Sequence, residues 1–172
     1  MNTPYGSLLE EALETWQGTR EGLIEEVENL PDDRLDFRPA DASRSVEELV
    51  RHIVEVALMM VGELTRLDGD FTRQPYTGFL REYAGDLSAV TGKDALIELL
   101  RETHAAGDRR FRETGELAML QYIRRFDGLP GTRLAWLWHG IGHEEYHRAQ
   151  VAVYARLMGL VPALTKRIIG EE

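Results

Sequence analysis

The residues with the clearest chemical meaning form the stretch HEEYH at positions 143–147. His143 and His147 stand four residues apart, and Glu144 directly follows the first, which is the H-E-x-x-H spacing of a zinc-protease helix. Side chains four residues apart lie on one face of a helix, so both imidazoles can reach one metal ion. The stretch is compatible with a protease, with another metal site, or with two unrelated histidines.

Two metalloenzyme classes that use such motifs are disfavoured by the surrounding sequence. The metzincin extension requires Gly at position 150 and His at position 153, whereas this chain has Gln150 and Val153. No strand edge that would hold a peptide substrate is evident. A carboxylate-bridged di-iron bundle needs a second Glu-x-x-His beside the one that ends at His147. The residues three positions before the other histidines are Leu49, Arg101, Trp136 and Gly140. None of them is a glutamate, so the second motif is missing.

Four segments with helical periodicity must position the histidines. They lie at residues 7–29, 45–67, 93–114 and 132–158. Ser45 and Glu48 have the capping-box spacing that starts the second of these helices. No segment alternates like a strand, and residues 160–172 are expected to form a surface extension. The sequence therefore predicts an all-α four-helix bundle.

Long connections separate the second helix from the third and the third from the fourth. The first of them, residues 68–92, includes a short predicted helix at 79–83 and is long enough to cross the bundle. A crossing connection places the third helix parallel to the second, which gives an up-down-down-up order. In that order the second and fourth helices run in opposite directions.

This arrangement selects three of the five histidines. His52 lies roughly 11 Å from the start of the second helix, and His147 lies roughly 17 Å before the end of the fourth. His52 is thus nearest in depth to His147 and next nearest to His143. We therefore predict that these three hold a divalent ion at about 2.0–2.1 Å and leave one position open. His139 is further away and is the spare, and His104, on the more polar third helix, is expected to have a local role.

Composition limits the class of protein. The chain has 172 residues, of which 43% are hydrophobic and 29% are charged, and this fits one globular domain over residues 1–172. Its net charge of −10 opposes binding to nucleic acid. The lack of cysteine excludes disulfides, thiolate ligands and a cysteine nucleophile. No signal peptide or membrane span is evident, so we expect a cytoplasmic protein without a membrane partner.

Two long stretches resemble the signatures of a known family. LPDDRLDFRPADASRSVEELVRHIVEVALMM and GTRLAWLWHGIGHEEYHRAQVAVYARLMGL are similar to the two signatures of the DinB/YfiT-like metal-binding four-helix bundles. One mild departure is Ala149, where the pattern often has Gly. The resemblance implies His52, His143 and His147 as the metal triad, the up-down-down-up topology and a homodimer. Members of the family include thiol-dependent transferases and isomerases.

Three functions follow as hypotheses. The first is a metalloenzyme that transfers or isomerises a small electrophilic substrate with the help of a low-molecular-weight thiol. The second is a metal-dependent hydrolase in which Glu55, one turn after His52, is the catalytic base. The third is a non-catalytic metal-binding protein of the stress response. Gln150, three residues after His147, is expected to orient a ligand or a histidine ring. Zinc or nickel suits the three imidazoles best, and iron or manganese is a further option.

Overall fold

The computed structural model describes residues 6–170, and helices account for most of them. The seven helices are α1 (Leu8–Glu28), α2 (Val46–Thr65), α3 (Tyr76–Tyr83), α4 (Lys93–Thr114), α5 (Glu116–Met119), α6 (Arg133–Leu157) and α7 (Ala163–Ile169). The long helices α1, α2, α4 and α6 pack on one another as the four rods of a bundle. The predicted all-α four-helix bundle is confirmed. No helix in this part of the chain is both long enough and apolar enough to cross a bilayer.

The helix starts follow the capping chemistry that the sequence indicates. The Ser45 hydroxyl accepts a hydrogen bond from the backbone N–H of Glu48, and the Glu48 carboxylate accepts one from the backbone N–H of Ser45. This reciprocal pair satisfies two amides that the first turn of α2 would otherwise leave unbonded. The Thr132 hydroxyl caps α6 by accepting a hydrogen bond from the backbone N–H of Ala135, without a reciprocal bond. Each cap contributes about 1 kcal/mol, and together they fix where the histidine-bearing helices begin.

Contacts between α6 and its two neighbours show the directions of these helices. Arg133, at the start of α6, donates to the carbonyl of Leu64 at the end of α2, with a distance of 2.7 Å. Helices α2 and α6 are therefore antiparallel. Trp16 of α1 reaches Glu144 in the middle of α6, and Asn29, just beyond α1, reaches Val161, just beyond α6. Helices α1 and α6 therefore run in the same direction.

Helices α2 and α4 also share one direction. At their starts, the backbone N–H of Gly92 donates to the carboxylate of Glu47 over 2.8 Å. Towards their ends, Gly107 allows a close approach of α4 to the bundle. A Cβ atom at that position would lie 2.6 Å from Trp16 and 2.8 Å from Val61. A larger residue at position 107 would push α4 away from the other helices.

The apolar core consists of two clusters, one towards each end of the bundle. The cluster near the end of α2 and the start of α6 includes Val56, Met60, Leu64, Leu137 and Ile141. The cluster near the start of α2 and the end of α6 includes Leu49, Ile53, Val151, Tyr154 and Ala155. Along α6, His143 and His147 lie between these two clusters, and on α2 His52 lies beside Leu49 and Ile53 of the second cluster. Packed apolar layers thus hold the histidine-bearing turns rigid from both sides.

Two features of the fold differ from the expectations. Strands β1 (Tyr122–Arg124) and β2 (Pro130–Thr132) pair as an antiparallel hairpin in the connection before α6. Strands of three residues are too short for a period of two to stand out, which explains why no segment of the sequence alternates like a strand. The expected surface extension at 160–172 contains α7 instead. Its first amides donate to the buried carboxylate of Glu26 on α1. Residues 1–5 and 171–172 lie outside the described part of the predicted domain.

Candidate metal centre

Three histidines converge where α2 faces α6. His52 comes from α2, and His143 and His147 come from successive turns of α6. Each offers a ring nitrogen, and these three nitrogens all lie within 4.8 Å of one another. The Nε2 atoms of His143 and His147 are 3.0 Å apart. Among the residues that the structure describes, this is the group of donors that could share one ion.

The geometry of this histidine cluster fits a divalent metal ion. Imidazole nitrogens bound to one ion at about 2.0–2.1 Å lie about 3 Å from each other in tetrahedral or octahedral coordination. The observed separations need only small side-chain movements to reach such an arrangement. Two rings on consecutive turns of one helix and a third from the opposite helix also leave part of the coordination sphere free. This is the pattern of catalytic rather than closed structural sites.

All three rings are neutral at physiological pH, as metal ligation requires. Burial disfavours the charged form and lowers the pKa of His52 to about 3, with smaller contributions from Arg44 and from the other two histidines. Burial also lowers the pKa of His143 to about 4. Burial lowers the pKa of His147 too, although its hydrogen bond to Gln150 acts in the opposite direction. Lone pairs are thus available without the removal of a proton.

Gln150 determines which nitrogen of His147 faces the cluster. The Nδ1–H group of His147 donates to the side-chain oxygen of Gln150, with a distance of 2.7 Å. The proton on Nδ1 leaves Nε2 as the nitrogen with a free lone pair, and Nε2 is the atom next to His143. An outer partner of this kind fixes both the tautomer and the orientation of a ligating ring.

Glu55 lies beside the cluster rather than inside it. Its carboxylate is 3.7 Å from Nδ1 of His52, which is longer than a hydrogen bond. Burial raises the pKa of Glu55, and the positive charges of Arg44 and Arg51 only partly oppose this effect. The side chain is about one-third exposed. A carboxylate with a raised pKa, close to the cluster and accessible to solvent, has the properties of a general base.

The other two histidines lie outside the cluster. His139 packs its ring on Trp136, with 4.5 Å between the ring centroids. His104, on α4, packs against Trp16 of α1 at 4.4 Å. Neither belongs to the group whose nitrogens converge. His139 and His104 are thus outside the cluster, as expected from their positions along the helices.

An open pocket of about 690 Å³ leads from the surface to the cluster. It is lined by Ala42, Ser43, Arg44, Leu49, His52, Tyr146, His147, Gln150 and Tyr154. The sequence argument did not identify Arg44 and Tyr154 as part of the site. Their place in the sequence offers a weak signal, because Arg44 directly precedes the cap of α2 and Tyr154 lies seven residues after His147. Only the packing of α2 against α6 brings them together.

Glu144 points away from the histidines and into the bundle. The side chain is buried and paired with Arg20 of α1. It also accepts a hydrogen bond of 3.0 Å from the indole N–H of Trp16. A carboxylate held in this way is unavailable as the general base of an H-E-x-x-H protease.

Comparisons with known proteins agree with this geometry. The DinB family model matches residues 1–169. The crystal structure of the DinB-like protein YjoA from Bacillus subtilis has a TM-score of 0.66 and 21% identity, over 87% of this chain and 92% of that one. YfiT from B. subtilis, described as a probable metal-dependent hydrolase with an unusual four-helix bundle topology, has a TM-score of 0.68 and 16% identity, over 93% of both chains.

A third solved structure is a mycothiol-dependent maleylpyruvate isomerase. It has a TM-score of 0.65 and 16% identity, over 83% of this chain and 60% of that one. No curated protein sequence matches the chain. At these identities the structures show a shared fold, and the family model covers nearly the whole chain. The resemblance of the two quoted stretches is thereby confirmed, and the chain belongs to the DinB family.

Proposed function

We propose that this protein binds one divalent metal ion through His52, His143 and His147. We further propose that it catalyses a thiol-dependent transfer or isomerisation of a small electrophilic substrate. The observation that carries the proposal is the convergence of three neutral imidazoles, within 4.8 Å of one another, at an open pocket. A bound divalent ion would supply a Lewis acid that stabilises anionic sulfur or oxygen. Zinc or nickel suits three imidazoles best.

The thiol would come from a small molecule. The chain has no cysteine, so it cannot provide a sulfur nucleophile of its own. The open pocket of about 690 Å³ has room for a small thiol and a small electrophile. The similarity in fold to a mycothiol-dependent isomerase supports this class of reaction. The role of the chain would be to orient the two reactants and to keep the ligating rings neutral.

Two side chains would assist the reaction. Gln150 would hold His147 in the tautomer that presents Nε2 to the ion. Glu55, whose pKa is raised by burial, would accept the proton that the thiol loses on approach. The distance of 3.7 Å between its carboxylate and Nδ1 of His52 supports this role as a base beside the ligands rather than as a ligand itself.

A metal-dependent hydrolase is the second candidate function. The same position of Glu55 would allow it to accept a proton from an attacking water molecule. YfiT, which shares the fold, is described as a probable metal-dependent hydrolase. The two candidates differ in a single requirement, since only the first needs an added thiol.

The proposal includes a homodimer in the cytoplasm. Exposed apolar side chains along α6 support self-association, because such residues on one helix are typical of an interface. They are Trp138, Tyr146, Val153 and Leu157. The cysteine-free composition suits a reducing compartment. Light scattering of the purified protein tests the dimer, and fractionation of the source cells tests the location.

A thiol-dependence screen on the zinc- or nickel-loaded protein tests the function. We expect an aryl halide and a cis-configured unsaturated acid to react only when a low-molecular-weight thiol, mycothiol included, is present. Ester, amide or phosphate turnover without thiol would favour the hydrolase instead. Tight metal binding without turnover of either the electrophiles or the ester, amide and phosphate substrates would favour the non-catalytic hypothesis. His139→Ala is the matched control, since it removes an imidazole of α6 outside the cluster.

A further inference from the structure

The pocket at the histidine cluster has a basic lining although the protein as a whole is acidic. The carboxylate of Glu55 lies next to His52 but is not among the residues that line this pocket. The chain has a net charge of −10. Among its pocket-lining residues within the described part of the chain, however, none is an aspartate or a glutamate, and Arg44 carries the one permanent charge. A divalent ion at the cluster would add two further positive charges. A surface with this sign of charge attracts an anionic ligand.

Arg44 differs from the arginines on either side of it. Arg38 is paired with Glu48, and Arg51 donates to Glu47 and to the carbonyl of Val90. Within residues 6–170, no hydrogen bond or ion pair engages the guanidinium of Arg44, which is the cation that borders the pocket. Its neighbours satisfy their charges within the protein, and Arg44 keeps all its donors free.

The backbone of Arg44 is nevertheless held in place. The phenol of Tyr154, on α6, donates to the carbonyl of Arg44 over 3.1 Å. The next residue, Ser45, is the cap of α2 and is fixed by its reciprocal bonds with Glu48. These contacts anchor the root of the side chain to both helices that carry the histidines. The exposed side chain of Arg44 therefore starts from a fixed point at the edge of the pocket, within reach of a ligand bound there.

We propose that Arg44 binds an oxyanion of the substrate, in the simplest case a carboxylate, while the reacting end of the same molecule meets the metal. The guanidinium fork matches the two oxygens of a carboxylate and can hold them through two parallel hydrogen bonds. This inference rests on the proposed function, because it places the anion relative to a metal at the cluster. It narrows the substrate class to small molecules with an anionic group and a separate reactive group.

Spectroscopic titration of the cobalt(II)-loaded protein tests this assignment without any knowledge of the natural substrate. Three probes of similar size are compared: 2-mercaptoethanol, 3-mercaptopropionate and 2-mercaptoethanesulfonate. Thiolate coordination to cobalt produces a charge-transfer band, from which a dissociation constant is obtained for each probe. The proteins are the wild type, Arg44→Ala, Arg44→Lys and Arg109→Ala. Arg109 is exposed on α4, so its removal changes the net charge equally but leaves the pocket intact.

We expect Arg44→Ala to weaken the binding of the two anionic thiols about tenfold or more, which is the usual cost of a lost charge-assisted hydrogen bond. The affinity for 2-mercaptoethanol should stay within about twofold. Arg44→Lys should lie between wild type and Arg44→Ala, because lysine keeps the charge and loses the fork. Arg109→Ala should match the wild type. For each probe, the dissociation constant of the variant is divided by that of the wild type. This ratio removes the differences in intrinsic cobalt affinity between the three thiols.

Equal weakening of all three probes in Arg44→Ala, or no weakening of any, would overturn the assignment. If Arg44→Ala weakens the binding of 3-mercaptopropionate alone, the site is specific for a carboxylate. If it weakens the binding of both anionic thiols, the site accepts oxyanions in general. Each of these supports the role of Arg44. The metal proposal fails separately, because a protein without a three-histidine site would show no cobalt spectrum before any thiol is added.

Discussion

Helix α6 contributes to two separate polar clusters through the adjacent residues His143 and Glu144. His143 belongs to the histidine cluster, where three neutral rings converge beside an open pocket. Glu144 belongs to a buried ion-pair cluster with Arg20 and Trp16. In the ion-pair cluster the charges neutralise each other and solvent is excluded. In the histidine cluster the three ring nitrogens point towards one common position, and the adjoining pocket is open to solvent.

The difference distinguishes a structural polar group from a functional one. Arg20 is 1% exposed, and besides Glu144 it donates to the carbonyl of Leu100 and to the hydroxyl of Thr103. This network connects α1, α4 and α6 and leaves no position for a ligand. Within residues 6–170, the three histidine rings make one hydrogen bond to another side chain, that of His147 to Gln150, besides the contact between His143 and His147. Their other ring nitrogens are available to an ion. The polar groups of the ion-pair network are fully hydrogen-bonded and stabilise the fold. The ring nitrogens of the histidine cluster that have no such partner among the described residues are available to bind a metal ion.

The largest effect is expected on the structural side. Arg20→Ala leaves the buried carboxylate of Glu144 without its partner and should lower the free energy of unfolding by about 3–5 kcal/mol. Urea denaturation measures this loss. The protein that remains folded should still bind one equivalent of metal, because the histidine cluster does not use the ion pair.

The control for this prediction replaces both partners. Arg20→Met combined with Glu144→Leu removes the charges together and should be clearly more stable than Arg20→Ala, since no buried charge is left unpaired. If metal stoichiometry fell together with the free energy of unfolding in these variants, the histidine cluster would not be independent of the ion-pair cluster.

The next largest effect concerns the ligands. His52→Ala, His143→Ala and His147→Ala should each weaken metal binding about a hundredfold or more, because removal of a ligand costs more than removal of an outer partner. His139→Ala and His104→Ala should keep the metal. Metal analysis after gel filtration gives the stoichiometry of each variant. Metal retained in His52→Ala would refute the ligand set.

A smaller effect is expected for the residue that orients a ligand. Gln150→Ala should weaken metal binding by about 10- to 100-fold, since His147 loses the acceptor that fixes its tautomer. Gln150→Glu keeps an acceptor at the same place and should restore most of the affinity. Competition with a coloured chelator measures both constants. Equal losses in the two variants would contradict an orienting role and indicate a general disturbance of α6.

The smallest effect concerns pH and the metal-free protein. The pKa values of His52 and His143 are lowered in the folded state to about 3 and about 4, from 6.5. Between these values the unfolded chain binds more protons, so stability is complete above about pH 6.5 and falls as the pH decreases. We expect a loss of roughly 1–2 kcal/mol between pH 7 and pH 6 for the two groups together, and a larger loss below pH 6.

Urea midpoints of the chelator-treated protein across this range test the pH prediction. His143→Gln removes one of the shifted groups and should show a shallower dependence than the wild type. A wild-type curve that is flat between pH 7 and pH 5 would mean that the rings are not held neutral by burial.

Features that depend on residues close together in the sequence were predictable from local patterns. The four long helices, the cap at Ser45 and the shared face of His143 and His147 all follow from spacings of three or four. The convergence with His52 required one further assumption, the antiparallel order of two helices. That assumption came from the length of a connection and from the family resemblance.

Interactions over long sequence distances were not predictable in this way. The ion pair joins residues 124 positions apart, and no spacing rule assigns Arg20 rather than another arginine to Glu144. The same applies to Arg44 and Tyr154, which meet over 110 positions. The hairpin of β1 and β2 escaped for a different reason, because three residues do not establish an alternation. Partners of this kind depend on the final packing of the helices.

X-ray absorption spectroscopy of the protein loaded with one equivalent of zinc tests the central claim most directly. We predict three imidazole ligands with Zn–N distances of about 2.0–2.1 Å and an additional light atom from solvent. The spectrum of His52→Ala should show one imidazole fewer, or no bound zinc. A spectrum with no more than one imidazole, or one that His52→Ala leaves unchanged, would contradict the three-histidine centre.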